Sequence, residues 1–256
     1  MPLPKEKYFY RYPELENQVV IVTGGGSGIG QALVSDLLRN KARVVSIDLD
    51  NDATRRLIAE QSDAAGEVLF KTLDVADSAA CGAAVDEAHA RYGRIDGLLN
   101  VAAIAPRCDF SELTDEVLQR VIAVNLNGTL YPTRAVLRHM IPRRRGRIVN
   151  FASRIAISGH PGQSAYAATK GAVRSFSRNL ALEVAQYGIT VNTIFPTADT
   201  PIRREETPEE VRRVQELGIP QPYQVTSGIL FWLSDAAREW TANELRSHRP
   251  FVKATD

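Results

Sequence analysis

Short β-branched runs punctuate this chain at Val19–Thr23, Arg43–Ile47, Val68–Leu73, Ile95–Val101, Arg147–Phe151 and Thr190–Ile194. Between them lie amphipathic stretches that predict helices at Gln31–Asn40, Asp52–Ala65, Ser78–Tyr92, Asp115–Pro142 and Ser164–Gln186. The fourth is expected to break near Pro132, whose ring removes a backbone donor. Strands alternating with helices at this spacing mean right-handed βαβ units, hence an α/β fold: a doubly wound parallel sheet in three layers. No repeat or low-complexity linker divides residues 18–256, which read as one domain. Two segments fall outside the pattern. Met1–Asn17, rich in proline, charge and rings, reads as an arm over the domain or a neighbouring subunit, or as a disordered end. Pro196–Ile219, heavy in Pro, Thr, Arg and Glu, reads as an excursion over the sheet that could act as a lid.

Composition narrows the function classes. At 256 residues there is ample length for a continuous core. A net charge of +1 supplies no field for steering nucleic acid or an anionic membrane, so neither is an expected partner. The one dense basic run, Arg143, Arg144, Arg145 and Arg147, precedes Ile148-Val149 and reads as a solvated helix-to-strand loop. Cys81 and Cys108 lack metal-ligand spacing, and His89, His139, His160 and His248 make no cluster, so no metal is expected. Reduced thiols, no bilayer-length apolar run and no leader pattern at Met1–Arg11 point to a cytoplasmic protein.

The segment Val19-Val20-Ile21-Val22-Thr23-Gly24-Gly25-Gly26-Ser27-Gly28-Ile29-Gly30 reads as strand, glycine turn and helix start. Glycine lets a backbone turn sharply against a pyrophosphate, whose charge sits on the helix N-terminus. Asp48 ends the second strand, where a carboxylate can hold both hydroxyls of an adenosine ribose and repel a 2′-phosphate. No Arg or Lys stands in the glycine loop or beside Asp48, so NAD is expected rather than NADP. The bland alternative is that Asp48 caps a loop.

Tyr166 and Lys170, four apart on a helix, share a face one turn apart. A phenol titrates near pH ~10, so acid/base work at neutral pH asks for a shift of about 3 units, or ~4 kcal/mol. A fixed ammonium beside the phenolate supplies part of that. Ser153, on the turn after a strand, can donate to a carbonyl oxygen near the phenol. Singly, these residues read as a packing ring, a solvated stem and a turn former; jointly, behind the glycine loop, they point to a site.

With those motifs in order, the chain resembles a short-chain dehydrogenase/reductase of the simple, single-domain type over about Gln18–Asp235, a Rossmann-like fold. Thr23-Gly24-Gly25-Gly26-Ser27-Gly28-Ile29-Gly30 is similar to that family's cofactor loop, Asp74-Val75 to its adenine-contacting pair, and Asn125 to its catalytic asparagine. Ser153, Tyr166 and Lys170 match its remaining catalytic residues. The resemblance implies an oxidoreductase that interconverts a secondary alcohol and a ketone by hydride transfer. Tyr166 exchanges the proton, Lys170 lowers its pKa and binds the nicotinamide ribose, Ser153 orients the carbonyl, and Asn125 holds a relay water. It adds Asn100, Pro196 and Thr200 to the cofactor contacts. It also implies a dimer or tetramer through the helices Asp115–Pro142 and Ser164–Gln186.

Four departures from the family pattern stand out. Asn100-Val101-Ala102-Ala103 replaces N-N-A-G; Phe195-Pro196-Thr197-Ala198-Asp199-Thr200 lacks the usual glycine; Thr190 stands where arginine is common; and Thr241–Pro250 loses a V-D-G-G ending. Three loops should surround the reacting carbon: Ile104–Asp109, Arg154–Gly162 and Thr197–Leu217. Their Arg107, Arg154, His160 and Arg203 would suit an anionic substrate group, or simply face solvent or pair with neighbouring glutamates. Ile104, Ile155, Ile157 and Phe195 suggest an otherwise apolar pocket for a ring or medium-sized skeleton. Two alternatives stay open. One is a dihydrodiol dehydrogenase of the 2,3-dihydro-2,3-dihydroxybenzoate type; the other is a non-catalytic NAD(H)-binding regulator or partner subunit.

Overall fold

The computed structural model of the chain describes residues 9–61, 65–198, 200, 202, 209, 212 and 219–246. Seven strands, β1 (Val19–Thr23), β2 (Arg43–Asp48), β3 (Glu67–Thr72), β4 (Gly97–Asn100), β5 (Gly146–Phe151), β6 (Ile189–Phe195) and β7 (Glu244–Arg246), form one sheet. Its order is β3-β2-β1-β4-β5-β6-β7, with every neighbouring pair parallel. The order reverses between β1 and β4, and a crevice must open beyond their C-terminal ends. That crevice holds the site.

Helices α1 (Gly28–Arg39), α2 (Asp52–Ala59), α3 (Ser78–Tyr92), α4 (Asp115–Ile122), α5 (Gly128–Arg143), α6 (Ile155–Ser158), α7 (Ser164–Val184) and α8 (Thr226–Phe231) complete the described elements. Period-two alternation divides the strand side chains between two cores. Val20, Val22 and Val44 pack with Leu33, Leu37 and Trp232 on one face. Val19, Ile21 and Val45 pack with Val85, Val136 and Ala181 on the other. Burial on both faces is why β1 is apolar for four residues in a row. Side-chain caps fix two helix starts, Asp77 accepting from Ala80 N–H and Thr114 from Val117 N–H.

Several expectations need correction. Pro132 does not break its helix; it lies inside α5. The interruption comes earlier, as a π-helical turn over Ala123–Asn127 in which the Gly128 N–H reaches back to the Ala123 carbonyl. Helix α2 stops at Ala59, short of the expected Ala65, and residues 62–64 lie outside the described ones. The short edge strand β7 was not expected from the apolar pattern. The basic run is not simply a solvated loop: Arg143 bonds the Ile95 carbonyl (3.1 Å) and the buried Asp96, and Arg147 is only 7% exposed.

Residues 9–17 lie against the domain. Arg39 sits 3.8 Å over the Phe9 ring, the Tyr12 hydroxyl donates to Ser227 O (3.1 Å), and Leu15 is fully buried. Of the expected lid, most residues between 199 and 218 lie outside the described ones. Among the described residues no helix is long and apolar enough to cross a membrane.

Candidate active site

A cleft of about 680 Å³ runs along the C-terminal ends of β1, β4 and β5. At one end the turn after β1 brings Gly24, Ser27, Gly28 and Ile29 to its wall, facing Asp48, Asp74 and Val75. Gly24 adopts φ +70°, and a Cβ there would fall 2.7 Å from the Ala102 nitrogen, so only glycine lets the turn pass this close to β4. Gly30 packs against the same turn, where a Cβ would meet the Gly24 carbonyl oxygen at 1.9 Å. The Asp48 carboxylate accepts from Gly26 N–H (2.8 Å), which fixes it at the rim of the glycine turn. Asp74 accepts from Ala76 N–H (2.9 Å) and from Arg120 (2.6 Å). Burial works to raise the Asp74 pKa, but these two bonds outweigh it and hold the carboxyl below its ordinary value.

At the other end Ser153, Tyr166 and Lys170 line the floor. β5 ends at Phe151 and delivers Ser153 two residues on; α7 carries Tyr166 and Lys170 on its inward face. Burial pushes the Tyr166 phenol's pKa up, and the neighbouring Ser153 side chain pulls it the other way. The Lys170 ammonium lies 5.9 Å from the Tyr166 ring centre and donates to the Phe151 carbonyl at 2.7 Å. Desolvation brings Lys170 itself down to about 8. A fully buried ammonium with one acceptor among the described residues keeps donors in hand for further oxygens. A polyol such as a nicotinamide ribose fits there, as a pyrophosphate fits the glycine turn.

Asn125 sits in the π-helical turn, fully buried, beside the site rather than in it. Its Oδ1 accepts from Ile104 N–H (2.8 Å), and its Nδ2 donates to Ile104 O (2.9 Å) and Thr169 Oγ1 (3.2 Å). The side-chain amide thereby holds the loop after β4.

Other expected residues divide in two. Pro196, Thr200, Arg107, Arg154 and His160 line the cleft. Thr23, Gly30, Asn100 and Phe195 do not. Thr23 accepts from Val101 N–H beneath the turn (3.2 Å). Asn100 is buried and donates to Thr133 Oγ1 (2.9 Å) and Asn150 Oδ1 (2.8 Å), tying β4 to α5 and β5. Phe195 is fully buried beneath Arg174 and Arg246 rather than lining a substrate pocket. Arg203 lies outside the described residues. Of the apolar set, Ile104 and Ile155 reach the cleft, while Ile157 is half exposed away from it. Gln163 was missed: it lines the cleft with a buried Oε1 that has no partner among the described residues. Its position three residues before Tyr166 puts it on the same face of the turn that opens α7, a spacing legible in the sequence.

Residues 18–211 match the family model described as short chain dehydrogenase. The chain is 33% identical over 234 residues to 2-(S)-hydroxypropyl-CoM dehydrogenase 3 of Xanthobacter autotrophicus, covering 87% of this chain and 92% of that protein. It is also 33% identical over 237 residues to 2,5-dichloro-2,5-cyclohexadiene-1,4-diol dehydrogenase of Sphingobium indicum, covering 90% and 94%. The crystal structure of levodione reductase superposes with a TM-score of 0.83 at 30% identity, over 91% of this chain and 96% of that one. Sequence, fold and site agree: the chain belongs to the short-chain dehydrogenase family of oxidoreductases, which work with a nicotinamide cofactor.

Proposed function

We propose that this protein is an NAD(H)-dependent dehydrogenase that interconverts a secondary alcohol and its ketone on a ring or medium-sized skeleton. The observation that carries the reading is the meeting of Ser153, Tyr166 and Lys170 on the floor of a cleft whose far wall is the glycine turn and Asp48. When bound, NAD supplies the hydride chemistry. The chain's own groups do the rest. Ser153 and Tyr166 line the same floor and can grip a single substrate oxygen between them. Tyr166 takes the proton of an alcohol or returns it to a ketone at the phenolic oxygen. Lys170 uses its remaining donors on the cofactor's ribose and keeps a positive charge under the phenol. Asn125 positions the Ile104 segment above the site. Ile104, Ile155 and Phe151 keep water from the reacting carbon.

The preference for NAD is supported by Asp48, and by the absence of any unpaired base at that end among the described residues. Arg120, the arginine lining that wall, is held by Asp74.

Replacing Tyr166→Phe tests the reading. NAD-linked turnover should fall by at least about a thousandfold, since general acid/base catalysis and substrate orientation are lost together, while NADH binding stays near normal. Substantial residual turnover would remove Tyr166 from the role. The ring-diol substrate in the name of the Sphingobium relative favours one narrower reading: oxidation of a cyclic dihydrodiol, pulled forward by aromatisation. Assaying cyclohexanol-type alcohols beside a cyclic dihydrodiol separates the two. NADH binding with no turnover on either would point to a non-catalytic partner instead.

A further inference from the structure

The basic run between α5 and β5 lies at the N-terminal ends of β5 and β6, a full strand length from the cleft. There Arg144, Arg145 and Arg147 join Arg238, Thr190, Asp235 and Glu239 around a second cavity of about 480 Å³. Four guanidinium groups against two carboxylates leave an excess of two positive charges. Arg145 holds Asp235 at 2.9 Å and Arg238 holds Glu239 at 3.3 Å, so both acids are already engaged.

Two buried donors have no partner among the described residues. Arg147 and Thr190 face each other in the parallel register of β5 and β6, and they are 7% and 4% exposed. Arg147 spends Nη1 on the Gly146 (3.0 Å) and Gly188 (3.5 Å) carbonyls, and its Nη2 stands 4.0 Å from Asp235, while its buried Nε–H has no partner among the described residues. The Thr190 hydroxyl is likewise buried and unbonded. Native interiors rarely leave such groups unpaired, and here both belong to residues that line a positively charged cavity. The wall itself is strained: Arg144 holds the left-handed conformation, φ 50°, that glycine usually takes at a helix end.

We infer that this cavity is a binding site for a phosphate dianion, either free or as the phosphoryl group of a small metabolite. Arg147 Nε–H and the Thr190 hydroxyl would donate to its oxygens, and the surplus arginine charge would balance it. The site is separate from the glycine turn and owes nothing to the catalytic reading.

Isothermal titration of the full chain with inorganic phosphate and with glycerol 3-phosphate, each with and without saturating NADH, tests it. Saturable binding should persist with NADH present. It should weaken about tenfold in Arg238→Ala, which is solvent-facing, and in the near-isosteric Thr190→Val, the loss expected for one charge-assisted bond. Tighter binding of the ester identifies a metabolite's phosphoryl group; equal binding identifies free phosphate. Absence of saturable binding, displacement by NADH, or unchanged affinity in both variants overturns the site.

Discussion

Lys170 stands apart among the charges of this chain because it is fully buried and makes one hydrogen bond. Its pKa falls from 10.5 to about 8, so carrying the proton inside the fold costs roughly 3 kcal/mol at neutral pH. The sign follows from the direction of the shift. Below about 8 both folded and unfolded states are protonated and the cost is at full strength; it fades as the pH rises toward 10.5 and is absent above. Lys170→Met should therefore stabilise the cofactor-free protein by about 2–3 kcal/mol at pH 7. Denaturant melts should show that gain shrinking toward pH 10.5, with turnover lost at every pH. A destabilised Lys170→Met protein would mean that the ammonium has better partners than Phe151 O. Asp48 makes the opposite kind of test, of selectivity. Asp48→Ala removes the carboxylate proposed to hold the adenosine ribose, and the NAD over NADP ratio of kcat/KM should fall by at least about tenfold, the worth of a charge-assisted bond. An unchanged ratio would sever Asp48 from cofactor choice.

At the scale of elements, most helices and strands were legible because each carries its own period and its own stop. The exceptions have physical causes. Pro132 looked like a break because a mid-helix proline forfeits a hydrogen bond, yet the chain relaxes upstream, at the π-helical turn of Ala123–Asn127. No residue type marks such a turn in the sequence. Strand β7 escaped notice because Glu244-Leu245-Arg246 has one apolar residue, and pairing with β6 rather than burial defines it. Asn125 was legible as important, and the structure adds a bracing role to it. Its amide replaces a strand partner for the loop after β4. Asn125→Ala would leave Ile104 N–H and C=O without their bonds, a loss of roughly 2–4 kcal/mol by chemical denaturation. An Asn125→Ala protein of unchanged stability would show the loop to be held by something else.

For the whole molecule, strand–helix alternation dictated the sheet, and the sheet's reversal between β1 and β4 dictated where the cleft lies. What alternation could not convey is which polar residues turn inward. The family resemblance put Asn100 among the cofactor contacts, but its side chain is buried in the core. There it bonds Asn150, its partner in the β4–β5 register, and Asn150 in turn donates to Ser177 of α7 (2.9 Å). The substrate mouth was least legible, since loops carry no period and Arg203 falls outside the described residues. The line of amides ending at Ser177 has a mechanical effect on the chemistry. Tyr166 and Ser177 ride the same rigid rod, three turns apart, while Ser153 hangs from the strand that bears Asn150. A peg driven deep in the interior thus sets how far the rod may slide, and with it the gap between hydroxyl and phenol at the surface.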